Sequence, residues 1–314
     1  MSEVFFTDLK SNDEESVLSK LKRVVKLAGI EKIDFKDKFV AIKIHFGEPG
    51  NMAFIRAQYA RVIVDLVLEN GGKAFLTDSN TLYVGGRKNA LDHLESAYRN
   101  GFVPYVTGCH VLIADGLRGT DEKLVFVDGE YVKNAKIGKA IADADIIISM
   151  NHFKGHELTG TGGALKNLGM GSGSRAGKME MHSMGKPSVY VKKCVGCGKC
   201  AGVCAHNAIT IDAKKASINH ENCVGCGRCL AICPMDAIMA DFNQANDVLN
   251  KKIAEYAKAV VVGKEHFHIN FVVDVSPACD CHACNDIPIV SDVGIFASFD
   301  PVAIDVASAE AVNQ

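Results

Sequence analysis

The sequence lacks any apolar run long enough to span a bilayer, since its longest runs, at 146–150 and 259–262, have the length of core strands. A basic start followed by a long apolar stretch is also missing, so we expect no secretion signal. Charge of one sign is not in excess, because 35 Lys and Arg stand against 37 Asp and Glu. We therefore expect a cytoplasmic protein that has neither a nucleic acid nor a membrane as its partner.

Cysteine is abundant, with 12 residues in a chain of 314. Without an export signal, these side chains are expected to be thiols or metal ligands and not disulfides. Hydrophobic residues make up 48% of the chain and charged residues 23%, which is typical of a folded protein with a substantial core. The composition therefore points to a globular protein that uses sulfur for chemistry.

Segments with helical and strand periodicity alternate along most of the chain, and glycine-rich breaks such as Gly71-Gly72 separate them. This alternation predicts an α/β protein with a mostly parallel, helix-covered sheet, whose ligands would bind where the strands end. The predicted strands are 39–46, 73–77, 145–150 and 268–275, and the predicted helices are 11–27, 54–69, 88–100, 245–259 and one that opens at Asp300-Pro301.

The pattern changes near Lys186-Pro187, where a segment dense in cysteine begins. Sequence of the α/β type lies on both sides of this segment. We therefore expect an α/β domain in two parts, 1–186 and 241–314, with residues 187–240 as an inserted ferredoxin-like domain.

Two copies of the spacing C-x2-C-x2-C-x3-C, 29 residues apart, fill this insertion. In such runs three thiolates hold one [4Fe-4S] cluster and the fourth cysteine reaches the other cluster. Glycines beside the cysteines would let backbone N–H groups approach the sulfurs. The predicted ligands are Cys194, Cys197, Cys200 and Cys233 for one cluster, and Cys223, Cys226, Cys229 and Cys204 for the other.

Two alternatives compete with a redox role for this insertion. A zinc site would pair two C-x2-C units over a longer gap, so the spacing favours iron–sulfur clusters. Two neighbouring clusters are typical of an electron relay, although clusters can also serve only to hold a fold together.

The segment 151–171 follows the predicted strand at 145–150 and is rich in Gly, His and Lys. It contains no P-loop, yet its glycines could present backbone N–H groups to an anion. We predict that Lys166, partly desolvated near other cations, has a lowered pKa and acts as nucleophile or anchor, while His156 moves protons. The other candidates are His152 and His182 as catalytic residues, and Gly160, Gly162, Gly163 and Asp78 as cofactor-binding residues.

A third cysteine group, Cys279, Cys281 and Cys284, places three soft ligands within six residues. It predicts a further metal or redox site, with Cys109 or a more distant residue as an added ligand, unless these are merely buried small side chains. Asp300 and Asp305 are interpreted as a helix start and a helix face.

Seven motifs resemble those of the iron–sulfur family catalogued as domain of unknown function 362. They begin at His45, Thr77, His152, Gly162, Met181, Cys279 and Asp300. The resemblance covers nearly the whole chain. It implies a two-cluster ferredoxin insertion in an α/β domain, and it implies no particular reaction.

His156, Lys166 and His182 are also similar in type and spacing to a His, a Lys and a His of the lactate racemase family. In that family the lysine carries a covalently attached nickel-pincer nucleotide and the last histidine binds nickel. The resemblance implies that Lys166 anchors a cofactor or substrate, that His156 is an acid or base, and that His182 is a metal ligand. A further metal or a nucleotide-type cofactor would then accompany the two clusters.

Three functions remain open at this point. The first is an iron–sulfur oxidoreductase that passes electrons through two clusters to a small-molecule substrate or cofactor near Lys166. The second is a non-catalytic carrier or a maturation or activation subunit that serves a redox partner protein, and the third is a racemase-like enzyme with structural clusters. The size of the α/β part argues against a plain ferredoxin, and the duplicated cluster motif argues against the third.

Overall fold

The computed structural model describes residues 2–182, 185–242 and 244–314. A seven-stranded sheet lies at its centre, with five neighbouring strands parallel and the two strands at one edge antiparallel to their neighbours. Across the sheet the strands are Phe5–Thr7, Gly294–Ser298, Glu265–Val272, Ile146–His152, Phe39–Lys43, Lys73–Asp78 and His110–Ile113. The predicted α/β class with a mostly parallel sheet is confirmed.

Helices cover both faces of this sheet, which explains why every residue of its central strand, Ile146–His152, is buried. Ile146 and Ile148 face one side and pack with the helices Val17–Leu27 and Ala57–Glu69. Ile147 faces the other side and packs with Leu168 and with the helix Asn246–Val261. All three isoleucines are fully buried.

Helices in the described parts of the chain differ from the predictions mainly at their ends. The first begins at Val17 and not at residue 11, because Ser16 caps it by accepting a hydrogen bond from the amide of Ser19. None of these helices has both the length and the apolar character needed to cross a membrane. The α-helices are Val17–Leu27, Ala57–Glu69, Ala90–Arg99, Pro104–Thr107, Lys139–Asp143, Ala164–Ser172, Arg175–His182, Lys199–Gly202, Arg228–Ile232, Asn246–Val261 and Pro301–Val312.

Short strand pairs lie outside the central sheet. Two of them lie in the α/β part: Glu122–Phe126 with Asn134–Gly138, and Lys154–His156 with Gly160–Gly162. The other two lie in the cysteine-rich segment: Pro187–Val189 with Ile238–Ala240, and Ile209–Asp212 with Lys215–Ile218.

The cysteine-rich segment 187–240 begins and ends at the same place, because Pro187 pairs with Ala240 in an antiparallel bridge. It has its own apolar cluster, into which Leu82 and Met179 of the α/β part also pack. Lys88 fastens the two parts together, since its ammonium donates to the carbonyl of Cys233 at 3.1 Å. The boundaries at 187 and 240 remain a prediction, and the strand pairing is consistent with them.

Gly169 lies where the helices Ala164–Ser172 and Asn246–Val261 pack against each other on one face of the sheet. A Cβ atom at this position would lie 2.2 Å from the carbonyl oxygen of Ile253. We expect Gly169→Ala to lower the free energy of unfolding by about 1–3 kcal/mol through overpacking. Chemical denaturation of the anaerobic protein measures this change. Gly202→Ala is the control, because a Cβ there would meet no atom within 4 Å; equal losses in both variants would contradict the packing argument.

Candidate functional site

A cavity of about 590 Å³ lies where the parallel strands end, and its volume is in the range of small-molecule sites. His45 follows the strand Phe39–Lys43 and lines the cavity, as does Asp78 at the end of the next strand. Loops at this edge of a parallel sheet converge, which places residues distant in sequence around one space.

Lys166, His156 and His182 line this same cavity. Lys166 projects from the helix Ala164–Ser172, His156 ends a short strand, and His182 ends the helix Arg175–His182. Leu82 also lines the cavity and belongs to the apolar cluster of the cysteine-rich segment. The cavity therefore adjoins that segment, while the catalytic roles of the three side chains stay predictions.

Lys166 lies with its ammonium nitrogen 3.3 Å from the sulfur of Cys279. Burial pushes the pKa of Lys166 down, but the neighbouring sulfurs of Cys279 and Cys281 outweigh it and raise the pKa above the ordinary value. The expectation of a lowered pKa is thus wrong, because the groups nearest to Lys166 are anionic and not cationic. Lys166 is therefore an ammonium ion at neutral pH.

Cys279 and Cys281 have pKa values that shift in opposite directions. A hydrogen bond from Cys281 and, against the effect of burial, the charge of Lys166 hold the pKa of Cys279 well below its usual range. The same hydrogen bond and burial raise the pKa of Cys281. Cys279 is therefore the thiolate of the pair and Cys281 the thiol.

His156 joins these two cysteines, since the ligand atoms of the three side chains lie within 4.8 Å of one another. By distance, this group is compatible with a metal ion. Cys284 is exposed and lies outside it, and Cys109 is buried in the core of the sheet. The predicted trio of neighbouring cysteines is thus corrected: two of them meet a histidine from another loop.

His156 and His182 are neutral at neutral pH. Burial and then Lys166 lower the pKa of His156 to about 4, and the same two causes lower that of His182 to about 3. The Nδ1 atom of His156 accepts hydrogen bonds from the amides of Leu158 at 3.1 Å and Thr159 at 3.3 Å. Its remaining proton is therefore on Nε2, so His156 presents an N–H group.

His152, predicted as catalytic, has both ring nitrogens occupied. Nδ1 lies 2.7 Å from the Asp280 carboxylate, and Nε2 lies 2.7 Å from the carbonyl oxygen of Val273. Lys154 donates to the other oxygen of Asp280 at 3.3 Å. His152 thus positions Asp280, the residue between the two cysteines, and has no nitrogen free to touch a ligand.

Asp78, predicted to bind a cofactor, is held by cations of the protein itself. Its carboxylate lies 2.9 Å from the ammonium of Lys43 and 3.3 Å from the guanidinium of Arg87, which also bonds Glu48 at 3.0 Å. Although burial pushes upward, Lys43 and His93 keep the pKa of Asp78 well below its usual range. Lys43 was not among the predicted site residues, and its signal in the sequence is a lysine inside an otherwise apolar strand.

The glycine-rich turn does not leave its helix start open to an anion. The amides of Ala164 and Leu165 donate to the Asp305 carboxylate at 2.7 Å and 2.9 Å. A Cβ atom at Gly163 would lie 2.2 Å from that carboxylate, so Gly163 makes room for it. The anion cradle predicted here is filled by Asp305, which is more than a helix-face residue.

The other predicted positions in this region differ in whether they line the cavity. Gly162 lines the cavity, whereas Gly160 is exposed at the start of the short strand Gly160–Gly162, with a φ angle of 75°. Asp300 caps the last helix as predicted, because it accepts hydrogen bonds from the amides of Val302 and Ala303. Ser183, part of one sequence motif, lies outside the described residues.

The eight cysteines of segment 187–240 form two groups around two small cavities. Cys194, Cys197, Cys200 and Cys233 line one cavity, and Cys204, Cys223, Cys226 and Cys229 line the other. Each group takes its fourth cysteine from the other sequence copy. Backbone amides donate to the sulfurs, as from Ala216 to Cys194 at 3.3 Å and from Ala237 to Cys233 at 3.2 Å. Four thiols with amide donors form a suitable donor set for a cubane cluster.

Taken together, the fold and the site define a cysteine-rich α/β protein with a charged cavity, in which the distances between His156, Cys279 and Cys281 are compatible with a metal ion. The chain belongs to the family described as Domain of unknown function (DUF362), whose model matches residues 40–310. This confirms the family expected from the sequence motifs. No curated protein matches the chain.

Two solved structures are similar to the chain. One is the lactate racemase apoprotein from Thermoanaerobacterium thermosaccharolyticum, with 13% identity and a TM-score of 0.49 over 92% of this chain and 54% of that one. The other is a protein from Thermotoga maritima, with 11% identity and a TM-score of 0.48 over 98% of this chain and 60% of that one. The matched region thus spans little more than half the length of either protein.

Lys43 should be important for stability, because it neutralises the buried carboxylate of Asp78. We expect Lys43→Met to lower the free energy of unfolding by about 3–5 kcal/mol, since it leaves a buried charge short of a partner. Chemical denaturation measures the loss. Lys22→Met is the control: Lys22 pairs with Glu69 at the surface, where such pairs contribute about 0–1 kcal/mol. Similar small losses in both variants would refute the role of Lys43.

Lys166 should set the reactivity of Cys279. Removing the ammonium in Lys166→Met raises the pKa of the thiol, so the pH midpoint of Cys279 alkylation by iodoacetamide should move upward. Peptide mass spectrometry after timed alkylation measures the rate at each pH. Lys178→Met, at another position in the cavity wall, is the control and should leave the midpoint in place. An unchanged midpoint in Lys166→Met would show that the ammonium does not stabilise the thiolate.

Proposed function

We propose that this protein is an iron–sulfur redox protein, with two [4Fe-4S] clusters in residues 187–240 and a redox ligand in the cavity beside Lys166. The observation that carries the proposal is the division of eight cysteines into two groups of four, each around its own cavity. The clusters would supply one-electron transfer. The α/β part would bind and orient the ligand.

The crowding of thiols within the cysteine groups of segment 187–240 favours a strongly cationic partner, such as a metal centre. Burial, followed by the nearby Cys226 and Cys223, raises the pKa of Cys229 to about 12. A group of thiols that resists deprotonation in this way becomes a set of thiolates only when a metal centre compensates the charge. Iron in a cubane cluster meets this need with four cysteines, and the x2-x2-x3 spacing favours it over zinc.

Arg175 provides a second, independent point of fit. Its guanidinium is buried, and the charge of Cys229 acts on it. Its Nη1 atom has no hydrogen-bond partner among the described residues. A buried donor without an acceptor is costly, and an acceptor beside Cys229, such as a cluster sulfur, would remove that cost.

The cavity residues are suited to a ligand that gains electrons and protons. Lys166 and Lys154 place positive charge near the cysteines, which favours an anionic or electron-accepting group. His156 can donate a hydrogen bond from its Nε2–H group to such a ligand. The cavity adjoins the cysteine-rich segment, because Leu82 lines the cavity and also packs in the apolar cluster of that segment.

Metal content tests the proposal directly. We expect about eight iron and eight acid-labile sulfide per chain after anaerobic purification, with an absorbance band that bleaches on reduction. Cys197→Ala should lose about half of the iron, since it removes a ligand from one group. Cys109→Ala, which changes a core thiol far from both groups, should keep the full content. Stoichiometric zinc with almost no iron would refute the proposal.

A further inference from the structure

Cys279 and Cys281 have surroundings that the proposed cluster chemistry does not use. A turn brings the two side chains together, since the amide of His282 donates to the carbonyl of Cys279 at 3.0 Å. The sulfur of Cys279 faces the Lys166 ammonium at 3.3 Å and the amide of Cys281 at 3.5 Å. Both cysteines line the 590 Å³ cavity, so a ligand there can reach them.

One alternative is that Cys279, Cys281 and His156 bind a metal ion, since the ligand atoms of the three side chains lie within 4.8 Å of one another. Coordination needs a free lone pair on the imidazole. The lone pair of Nδ1 faces the amides of Leu158 and Thr159, and the other nitrogen carries the proton. Lys166 already neutralises Cys279. The arrangement therefore resembles two thiols with a built-in cation more than three metal ligands.

We propose that Cys279 and Cys281 are a redox-active dithiol–disulfide couple that exchanges with a small disulfide bound in the cavity. Cys279 is the attacking sulfur, because the ammonium and the amide stabilise its thiolate. Cys281 is the resolving sulfur, because it lies two residues further along the same turn. Cys284, exposed and outside this group, takes no part.

The exchange balances in two steps. The Cys279 thiolate attacks one sulfur of the substrate RSSR, the substrate S–S bond breaks, and RS⁻ leaves a mixed disulfide on Cys279. RS⁻ takes the proton of Cys281 and leaves as RSH. The Cys281 thiolate then attacks the Cys279 sulfur and expels the second RS⁻. The products are a Cys279–Cys281 disulfide, RSH and RS⁻, so atoms and charge are conserved.

Return to the starting state needs two electrons and one proton. They convert the disulfide into the Cys279 thiolate and the Cys281 thiol, and Lys166 again compensates the negative charge. We assign the electrons to a one-electron donor of the iron–sulfur class, and in this point the inference rests on the proposed function. The exchange with a disulfide does not depend on it.

Mass spectrometry of trapped species tests the couple. The anaerobically purified, iron-containing protein is treated with bis(2-hydroxyethyl) disulfide, quenched in acid, alkylated and digested. The wild type should form a Cys279–Cys281 disulfide. Cys281→Ser, which lacks the resolving sulfur, should accumulate the mixed disulfide on Cys279, about tenfold above that on Cys284.

Matched variants complete the design. Cys279→Ser should form no mixed disulfide at Cys281, and Cys284→Ser should behave as the wild type. Iron content and thermal unfolding of each variant show whether it is folded. The mixed disulfide in Cys281→Ser is a positive signal, because misfolding would not label Cys279 alone.

Two outcomes would overturn the inference. The first is equal labelling of Cys279 and Cys284, which would mean that the site does not activate its cysteine. The second is one metal ion per chain, beyond the cluster iron, that is lost in Cys279→Ser and protects both sulfurs from the reagent. If the protein holds no clusters but Cys279 and Cys281 still exchange with the disulfide, the proposed function is refuted and the redox couple is not. The two failures are therefore distinguishable.

Discussion

The site depends on the neutralisation of charges that are buried where the parallel strands end. Asp78 lies between Lys43 and Arg87, and Arg87 also binds Glu48. The amide of Glu48 donates to the carbonyl of Asp280, which ties this network to the loop of the two cysteines. An unpaired buried charge costs several kcal/mol. These loops are therefore held in the arrangement in which the buried charges are paired. The shape of the cavity follows from that condition.

The need to neutralise buried charges also explains a second feature of the site. Several residues that the sequence predicted to bind a ligand bind other residues of the chain instead. Asp305 satisfies the amides at the start of the helix Ala164–Ser172, and His152 and Lys154 hold Asp280. Lys166 is different, because its partner is a thiolate that lines the cavity. An ammonium ion beside a sulfur nucleophile is a reactive arrangement, whereas an ammonium ion beside a buried carboxylate is mostly structural.

The two parts of the molecule offer different chemistry. The cysteine-rich segment contains two groups of four cysteines, and the α/β part contains a cavity with fixed charge. Leu82 packs with the first and lines the second, so the two are adjacent without a long connecting path. This adjacency is what a protein needs if electrons and protons are to meet at one ligand.

The sequence by itself determined the fold class and the division of the eight cysteines into two groups, because both depend on local periodicity and spacing. An apolar run such as residues 146–148 predicts a strand that is covered on both faces of its sheet. The sequence did not determine the ionisation of Lys166 or the partner of Cys279 and Cys281. Those properties depend on contacts between residues more than a hundred positions apart, such as Lys166 with Cys279 and Asp305 with Ala164. Since a pKa reflects the groups that tertiary packing brings within a few ångströms, only the folded structure decided whether this lysine is a nucleophile or the counter-ion of a thiolate.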